Sequence, residues 1–586
     1  MDPAYERLVR LNDEWTKEGL GRQLNDPGSK YDGGIIDPAS GIARANHLGT
    51  PSVMAVWACA LLHPASSFYR NAQLLQALDR AADFVLNRQH ADGTVSLGST
   101  NFNSPPDTAF VVGGLAQVYR LLRRGQLPES EPVAGKLRLF LQRTIPALMT
   151  GGCHTPNHRW VITAALALLY ELFADPQLLE RAEEWLAEGL DITADGEWTE
   201  RSNGIYNAVS DISLYHTARV LGRPELLDAV RRNLNMMVYL VHPSGEVVTD
   251  YSGRQDFGQR ADLSGYFLAY RLMAAMDRNP LFAAMADYSA QFIADPGGVN
   301  NNALLGCMTF PELADLSGLE RAPLPERYHV TLNGRHPVRE HLHLAEGVGH
   351  HMRIEHSSMH LAFGAPVVRI REGETSVTIM ARTPSFFSLR HKKARLLGVK
   401  LSTSFSPGIV RFEELTGEPE AGAYRLGIRM AKGYRGPVPR GRLIELPELA
   451  SRAALSPWYL LPHQHRPVTH LQEHRLEAEL RRGEGNAWRI RIRSDEREDV
   501  CTQLTFILGS EGSVTGDDVA EIGEGRHMLR GGKALYTAGD SALEIAGGAY
   551  EHWLPVLRDD QHPAGCRYVH VNLVTPFDHE CTVRLL

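Results

Sequence analysis

The sequence predicts a multidomain α+β protein in which an N-terminal α/α toroid is followed by a C-terminal antiparallel β-sandwich. Three observations carry that reading. A polar helix start recurs at intervals of roughly 50 residues through the first half of the chain, the spacing of stacked helix pairs. Between these starts lie segments with apolar residues at helical spacing, such as Leu74, Leu75, Leu78, Ala81, Ala82 and Val85. From about residue 350 onward, short alternating apolar runs separated by turn residues replace the helical period, which reads as antiparallel sheet.

Taken in order, residues 1–50 read as a short helix over 4–18 and a Gly/Asp/Pro-rich loop over 25–49. Residues 51–300 are the toroid, closed or incomplete, of roughly five to seven helix hairpins. Inner helices are expected to begin near 51, 107, 157, 206 and 264. They open on Gly49-Thr50-Pro51, Pro105-Pro106-Asp107-Thr108, Thr155-Pro156-Asn157-His158-Arg159-Trp160, Asn203-Gly204-Ile205-Tyr206 and Asp262-Leu263-Ser264-Gly265. Thr155 is placed to cap its helix, and proline is tolerated in a first turn. A tight glycine turn precedes each start: Asp32-Gly33, Asp92-Gly93, Gly151-Gly152, Asp195-Gly196 and Ser244-Gly245. The stripes within 70–88, 137–145, 176–190 and 224–240 are the outer, amphipathic partners. Pro296-Gly297-Gly298 and Ala322-Pro323-Leu324-Pro325 mark 301–345 as a linker. Residues 346–445 form the β-sandwich, and 446–586 continue it or form a small second β domain.

Composition narrows the function. Of 586 residues, 43% are apolar and 22% charged, as in soluble globular proteins. A formal charge of −8 argues against a nucleic-acid partner and leaves any anionic polymer dependent on local basic groups. Six scattered cysteines without CxxC spacing imply neither a disulfide framework nor a cysteine zinc site. The first residues carry no basic-then-apolar leader and no long apolar run follows, so a cytoplasmic protein without a membrane partner is expected, or a secreted or periplasmic one if a leader was trimmed. A homo-oligomer remains compatible with the sequence.

Equivalent helix starts in a closed array point the same way, so their polar first turns converge on one rim. That rim gathers Asp107, then Asn157, His158 and Arg159, then Glu197, Trp198, Glu200, Arg201 and Tyr206, and finally Tyr251 and Arg254. Carboxylates, tyrosines, arginines and an aromatic face suit a sugar cleft, where a ring stacks on tryptophan and polar groups bracket hydroxyls and acids. Eliminative cleavage of a uronic-acid glycan needs the substrate carboxylate neutralised, a base for the C5 proton and an acid for the departing oxygen. Asn157 with Arg159 or Arg254 suits the first task, and His158 and Tyr206 the other two. A tyrosine base needs a lowered pKa, which helix N-termini and neighbouring cations are expected to supply. Hydrolysis instead needs two carboxyl groups astride the bond, for which Asp107, Glu197, Glu200, Asp211, Asp250 and Asp256 are candidates. Residues 348–360 are expected to bring His356 to the cleft as a substrate contact. His341, His343, His350, His351, His356 and His360 also offer ligands for a structural zinc or other divalent metal, although no cofactor is required. The spacing of His341 and His343 would place both on one face of a strand.

Pro156-Asn157-His158 opening an apolar helix, followed by Asp195-Gly196-Glu197-Trp198-Thr199-Glu200 leading to Tyr206, resembles the heparinase II/III-like family. Residues 376–380, 384–390 and 402–405 resemble the same family's sandwich. The resemblance implies a toroid plus β-sandwich and a lyase site with an Asn, a His and a Tyr, which map onto Asn157, His158 and Tyr206, and a further His from the sandwich. Ser202-Asn203-Gly204-Ile205 stands where those enzymes commonly carry a Glu-Gly-Pro-like lead. The expected activity is therefore a polysaccharide or oligosaccharide lyase on uronic-acid-containing glycans. The alternatives are a glucuronidase-like glycoside hydrolase on the same toroid, releasing glucuronic acid or an unsaturated uronate, and a non-catalytic glycan-binding scaffold.

Overall fold

A computed structural model describes residues 2–345, 361–405, 408–445, 458, 461–558 and 562–586. The chain divides into two compact units, Met1–Ser376 and Val377–Leu586.

The first unit is helical: α1 (Pro3–Arg22), α2 (Thr50–Leu62), α3 (Ala72–Arg88), α4 (Pro105–Arg124), α5 (Glu131–Thr150), α6 (Pro156–Phe173), α7 (Pro176–Leu186), α8 (Tyr206–Leu221), α9 (Leu227–Met237), α10 (Phe267–Asp277), α11 (Pro280–Ala290), α12 (Ala303–Thr309) and α13 (Val338–Ala345). From α1 to α12 the helices alternate, odd-numbered ones outside and even-numbered ones inside. The inner helices α2, α4, α6 and α8 pack side by side, α10 joins α8 to α12, and α12 packs against α1, α2 and α4, closing the series. The sequence explains the division. In α2 every residue from Thr50 to Leu61 is buried, and α6 is buried from Trp160 to Leu169, so these helices must be apolar on all sides. In α7 only Leu178 and Ala182 are buried, the single stripe of a helix that faces water.

The inner helices start where the sequence places them, at Thr50, Pro105, Pro156 and Tyr206, with the last preceded by a 3₁₀ turn over Ser264–Tyr266. Most of the connections into inner helices are long, and all lie at one end of the array, where they bond to one another. Arg44 Nη1 donates to Leu97 O at 3.1 Å, and Val299 N donates to His47 O at 2.9 Å. This end is the rim. The glycine turns recur as a device: Gly33, Gly93 and Gly196 have φ of 78°, 85° and 107°. A Cβ on them would stand 2.3, 1.9 and 2.3 Å from the carbonyl oxygens of Arg80, Arg143 and Arg232 on α3, α5 and α9. Gly151 departs from the pattern, with extended backbone at φ −73°.

Residues 301–345, expected as a linker, instead contain α12, β1 (Arg327–Leu332) and α13, and β1 pairs antiparallel with β2 (Val367–Glu372). His341 therefore sits on a helix and not on the expected strand.

The second unit is β: β3 (Thr375–Met380), β4 (Phe387–His391), β5 (Ala394–Thr403), β6 (Gly408–Ile409), β7 (Glu414–Glu418), β8 (Ala423–Arg435), β9 (Val468–Arg482), β10 (Trp488–Ser494), β11 (Cys501–Leu508), β12 (Ser513–Thr515), β13 (Val519–Gly523), β14 (Arg526–Leu529), β15 (Lys533–Ala538), β16 (Ser541–Ala546), β17 (Arg567–Val574) and β18 (Asp578–Leu585). One sheet runs β3-β4-β5-β11-β17-β14-β13 with β6 against β5, and the other runs β12-β15-β16-β18-β10-β9-β8-β7. The β14–β17 pair is parallel, in an otherwise antiparallel-rich arrangement. Alternating burial along β10 and β16 marks one face in the core and one in water. Phe387 of one sheet meets Trp488 of the other at 5.4 Å between ring centroids, as in a sandwich. Both sheets draw strands from either side of residue 445, so 446–586 continue the sandwich.

Candidate active site

The first turn of α6 is capped from another loop. Thr155 stands at the N-cap but makes no side-chain cap bond. Instead Glu200 Oε1 accepts from Asn157 N at 2.7 Å and from Asn157 Nδ2 at 2.6 Å, while Nδ2 also reaches Thr155 Oγ1 at 3.2 Å. A carboxylate at a helix N-terminus is favoured by the unpaired amides and the helix dipole. Because Glu200 is an acceptor, the Asn157 nitrogen must face it, and the amide oxygen Oδ1 is left buried without a partner.

Glu200 Oε2 accepts from Arg254 Nη1. The Arg254 guanidinium lies 4.4 Å from the Tyr206 ring centroid, and Gln255 Nε2 donates to Tyr206 Oη at 2.6 Å. Tyr206 is in turn fixed through its backbone. Its N–H donates to Ser202 Oγ at 3.2 Å, Ser202 donates to Asp256 Oδ1 at 2.9 Å, and Gly204 N donates to Asp256 Oδ2 at 2.9 Å. A Cβ at Gly204 would lie 3.0 Å from that oxygen, so a side chain there would crowd the carboxylate. Asn157, Trp160, Trp198, Glu200 and Tyr206 line one narrow crevice. Starts on consecutive inner helices thus converge, as the repeat predicts.

The electrostatics differ from expectation at Tyr206. Burial raises its pKa above the ordinary tyrosine value and outweighs the lowering by Arg254, so the phenol is neutral in the ligand-free protein. Burial also depresses His158 to about 3, helped by the nearby Arg254 guanidinium, which keeps the imidazole uncharged at neutral pH. His158 Nδ1 is buried without a partner, and the ring packs edge-on to His154 at 4.8 Å.

Several predicted residues serve the scaffold instead. Asp107 braces the Ser104 N-cap of α4: its Oδ2 accepts from Ser104 Oγ at 2.5 Å and from Asn101 at 2.9 Å, while its N–H donates to Ser104 Oγ. Trp198 is 3% exposed and donates to Asp211 at 3.2 Å, so its face cannot serve as a platform for a sugar. Glu197 and Arg201 form a buried pair at 3.2 Å, with Gly364 N on Glu197 and the Tyr251 ring 4.7 Å from the guanidinium, so none of the three faces a ligand. Arg159 is taken up by Asp191 at 2.7 Å and Glu188 at 3.1 Å. Asp250 lies in the interior, 3.7 Å from His242 Nε2. Gln255, His154 and the ordering role of Asp256 escaped sequence reasoning; adjacency to Arg254 and His158 was the available signal. His350, His351, His356 and His360 lie outside the described residues, as does the side chain of His343. Among the described residues no group of three or more His, Cys, Asp or Glu could hold a metal ion. None of the helices described is long and apolar enough to cross a membrane.

No protein-family profile matches the sequence, and no curated protein matches it. Solved structures match the fold. Heparinase III aligns with a TM-score of 0.53 at 10% identity, covering 100% of this chain and 85% of that one. A xanthan lyase from Paenibacillus aligns at 0.52 and 10% identity, covering 100% of this chain and 57% of that one. A mutant heparan sulfate lyase from Pedobacter heparinus aligns at 0.50 and 11% identity, covering 98% and 82%. The chain has the helical toroid and β-sandwich fold of the heparinase-like polysaccharide lyases.

Proposed function

We propose that this protein cleaves uronic-acid-containing poly- or oligosaccharides by β-elimination. The observation that carries this reading is the convergence of Asn157, Arg254 and Tyr206 around a single buried carboxylate, Glu200. The hydrolase reading is less well supported. Asp107, Glu197, Glu200, Asp211, Asp250 and Asp256 are all buried, and each is engaged by a neighbouring side chain or backbone N–H. A glycosidase needs two carboxyl groups free to flank the bond.

In the proposed reaction Arg254 and Asn157 receive the substrate carboxyl group. Asn157 offers an acceptor oxygen, so it pairs with the acid form of that group and thereby acidifies the neighbouring C5–H. His158, held neutral, takes the C5 proton. The electron pair forms the C4–C5 double bond as the C4–O bond breaks, and the neutral Tyr206 phenol donates its proton to the departing oxygen. The low pKa of His158 makes it a weak base, and acidification of C5–H by the neutral carboxyl group lowers the demand on it. Asn157 is fully buried, so binding must part the crevice before its amide is reached. Mass spectrometry of products from uronate oligosaccharides tests the reading: elimination gives a fragment lighter by one water than hydrolysis does. Fragments that all carry the added water would transfer the protein to the hydrolases.

A further inference from the structure

The rim loops of the helical unit carry few basic groups, and most of those have acidic or aromatic neighbours. These loops span residues 23–49, 89–104, 151–155, 187–205, 238–263 and 291–302. In each loop that carries Asp, Glu, Lys or Arg, carboxylates outnumber the basic side chains. Lys30 lies over the Tyr31 ring in a loop with Asp26, Asp32 and Asp37. Arg44 donates to the Leu97 carbonyl and lies close enough to Asp37 to lower its pKa. Arg201 is buried against Glu197, Arg254 is bound to Glu200, and Arg260 stands 4.0 Å from Glu246. These loops also expose large apolar side chains: Phe102 is 68% exposed and Leu48 64%.

Sulfated chains are recognised by clusters of cations, and like charge facing like charge is a means of rejecting a ligand. A carbohydrate with hydroxyls and apolar ring faces, by contrast, suits exposed phenylalanine and leucine. We infer that the rim selects a uronate chain without sulfate, in which the carboxyl group taken by Arg254 and Asn157 is the only charge in each repeat. This inference rests on the lyase reading and names its substrate class.

The test is a matched pair, an unsulfated glucuronic acid–N-acetylhexosamine polymer and the same polymer chemically O-sulfated, each incubated with the full-length protein. Formation of the unsaturated product is followed by ultraviolet absorbance, and binding of oligosaccharides from each polymer by calorimetry. The expected result is kcat/KM at least about tenfold higher on the unsulfated chain, a difference of about 1.4 kcal/mol. Added salt should change the unsulfated rate by no more than about twofold, as a single partly buried pair is weakly screened. Equal or faster cleavage of the sulfated polymer overturns the inference. If neither polymer yields unsaturated product, the lyase reading falls and calorimetry decides: binding of the unsulfated oligosaccharide alone upholds the selectivity. Tighter binding of the sulfated one, or binding of neither, refutes it.

Discussion

Glu200 does the work of several residues. Its two oxygens cap α6, set the face that Asn157 presents and hold Arg254 beside Tyr206. Glu200→Gln keeps the shape and an acceptor but loses the charge and puts an amide against the α6 N-terminus. Stability should fall by about 1–3 kcal/mol, the range for hydrogen bonds to a charged group, as read by urea unfolding. An unchanged midpoint would contradict the capping role. Asp211 is a different kind of carboxyl. It is fully buried, its Oδ2 is unpartnered, and burial raises its pKa well above the ordinary value. A raised carboxyl pKa stabilises the fold below the unfolded value near 4, and that stability is lost as pH rises toward the folded value. Asp211→Asn, which keeps an acceptor for Trp198, removes this loss. The variant should gain on the wild type between pH 5 and pH 8 in thermal unfolding; a constant difference across that range would mean that Asp211 is ionised in the fold.

At the scale of elements, the repeat places the site and the glycine turns hold the repeat. Each of Gly33, Gly93 and Gly196 lets a rim loop touch the backbone of an outer helix, and side-chain amides follow the same pattern. Gln23 donates to Gly33 O, Gln89 to Gly93 O and Asn233 to Gly196 O. Gly93→Ala combines positive φ with a Cβ 1.9 Å from Arg143 O, so it should cost about 3 kcal/mol or more. Gly41→Ala is the control, with φ 70° but nothing within 4 Å, and should cost only about 1 kcal/mol. Equal losses would show that close approach to the outer helix does not matter. These turns were legible because glycine after aspartate is an unambiguous turn signal. Gly151-Gly152 lacks that aspartate, and a bare glycine pair carries no information on which conformation it adopts.

For the molecule as a whole, periodicity conveyed the architecture, and residue type alone conveyed little of the site. Inner helices were readable from fully apolar runs with polar first turns, and the sandwich from alternation. The candidate site was partly readable: Asn157, His158, Tyr206 and Arg254 were singled out by position, and the structure brings them near one another. Burial was not readable. Trp198, Glu197, Arg201 and Tyr251 belong to residue types suited to sugar binding, yet they pack on one another, and no one-dimensional pattern distinguishes a buried ion pair from an open one. The tyrosine pKa was misjudged because the helix dipole was weighed without the desolvation that opposes it. The region 301–345 looked like a linker because prolines and glycines flank short elements that periodicity cannot detect.

The central claim is that the Tyr206 hydroxyl transfers a proton during elimination from a uronate. The most direct measurement compares the initial rate of ultraviolet absorbance on an unsulfated uronate polymer for the wild type and for Tyr206→Phe, with circular dichroism confirming that both are folded. The wild type should generate the conjugated product, and the variant should be slower by on the order of 100-fold or more, the scale for a general acid. A Tyr206→Phe protein that is folded and equally fast, or a wild type that cleaves the polymer without any rise in absorbance, would contradict the account.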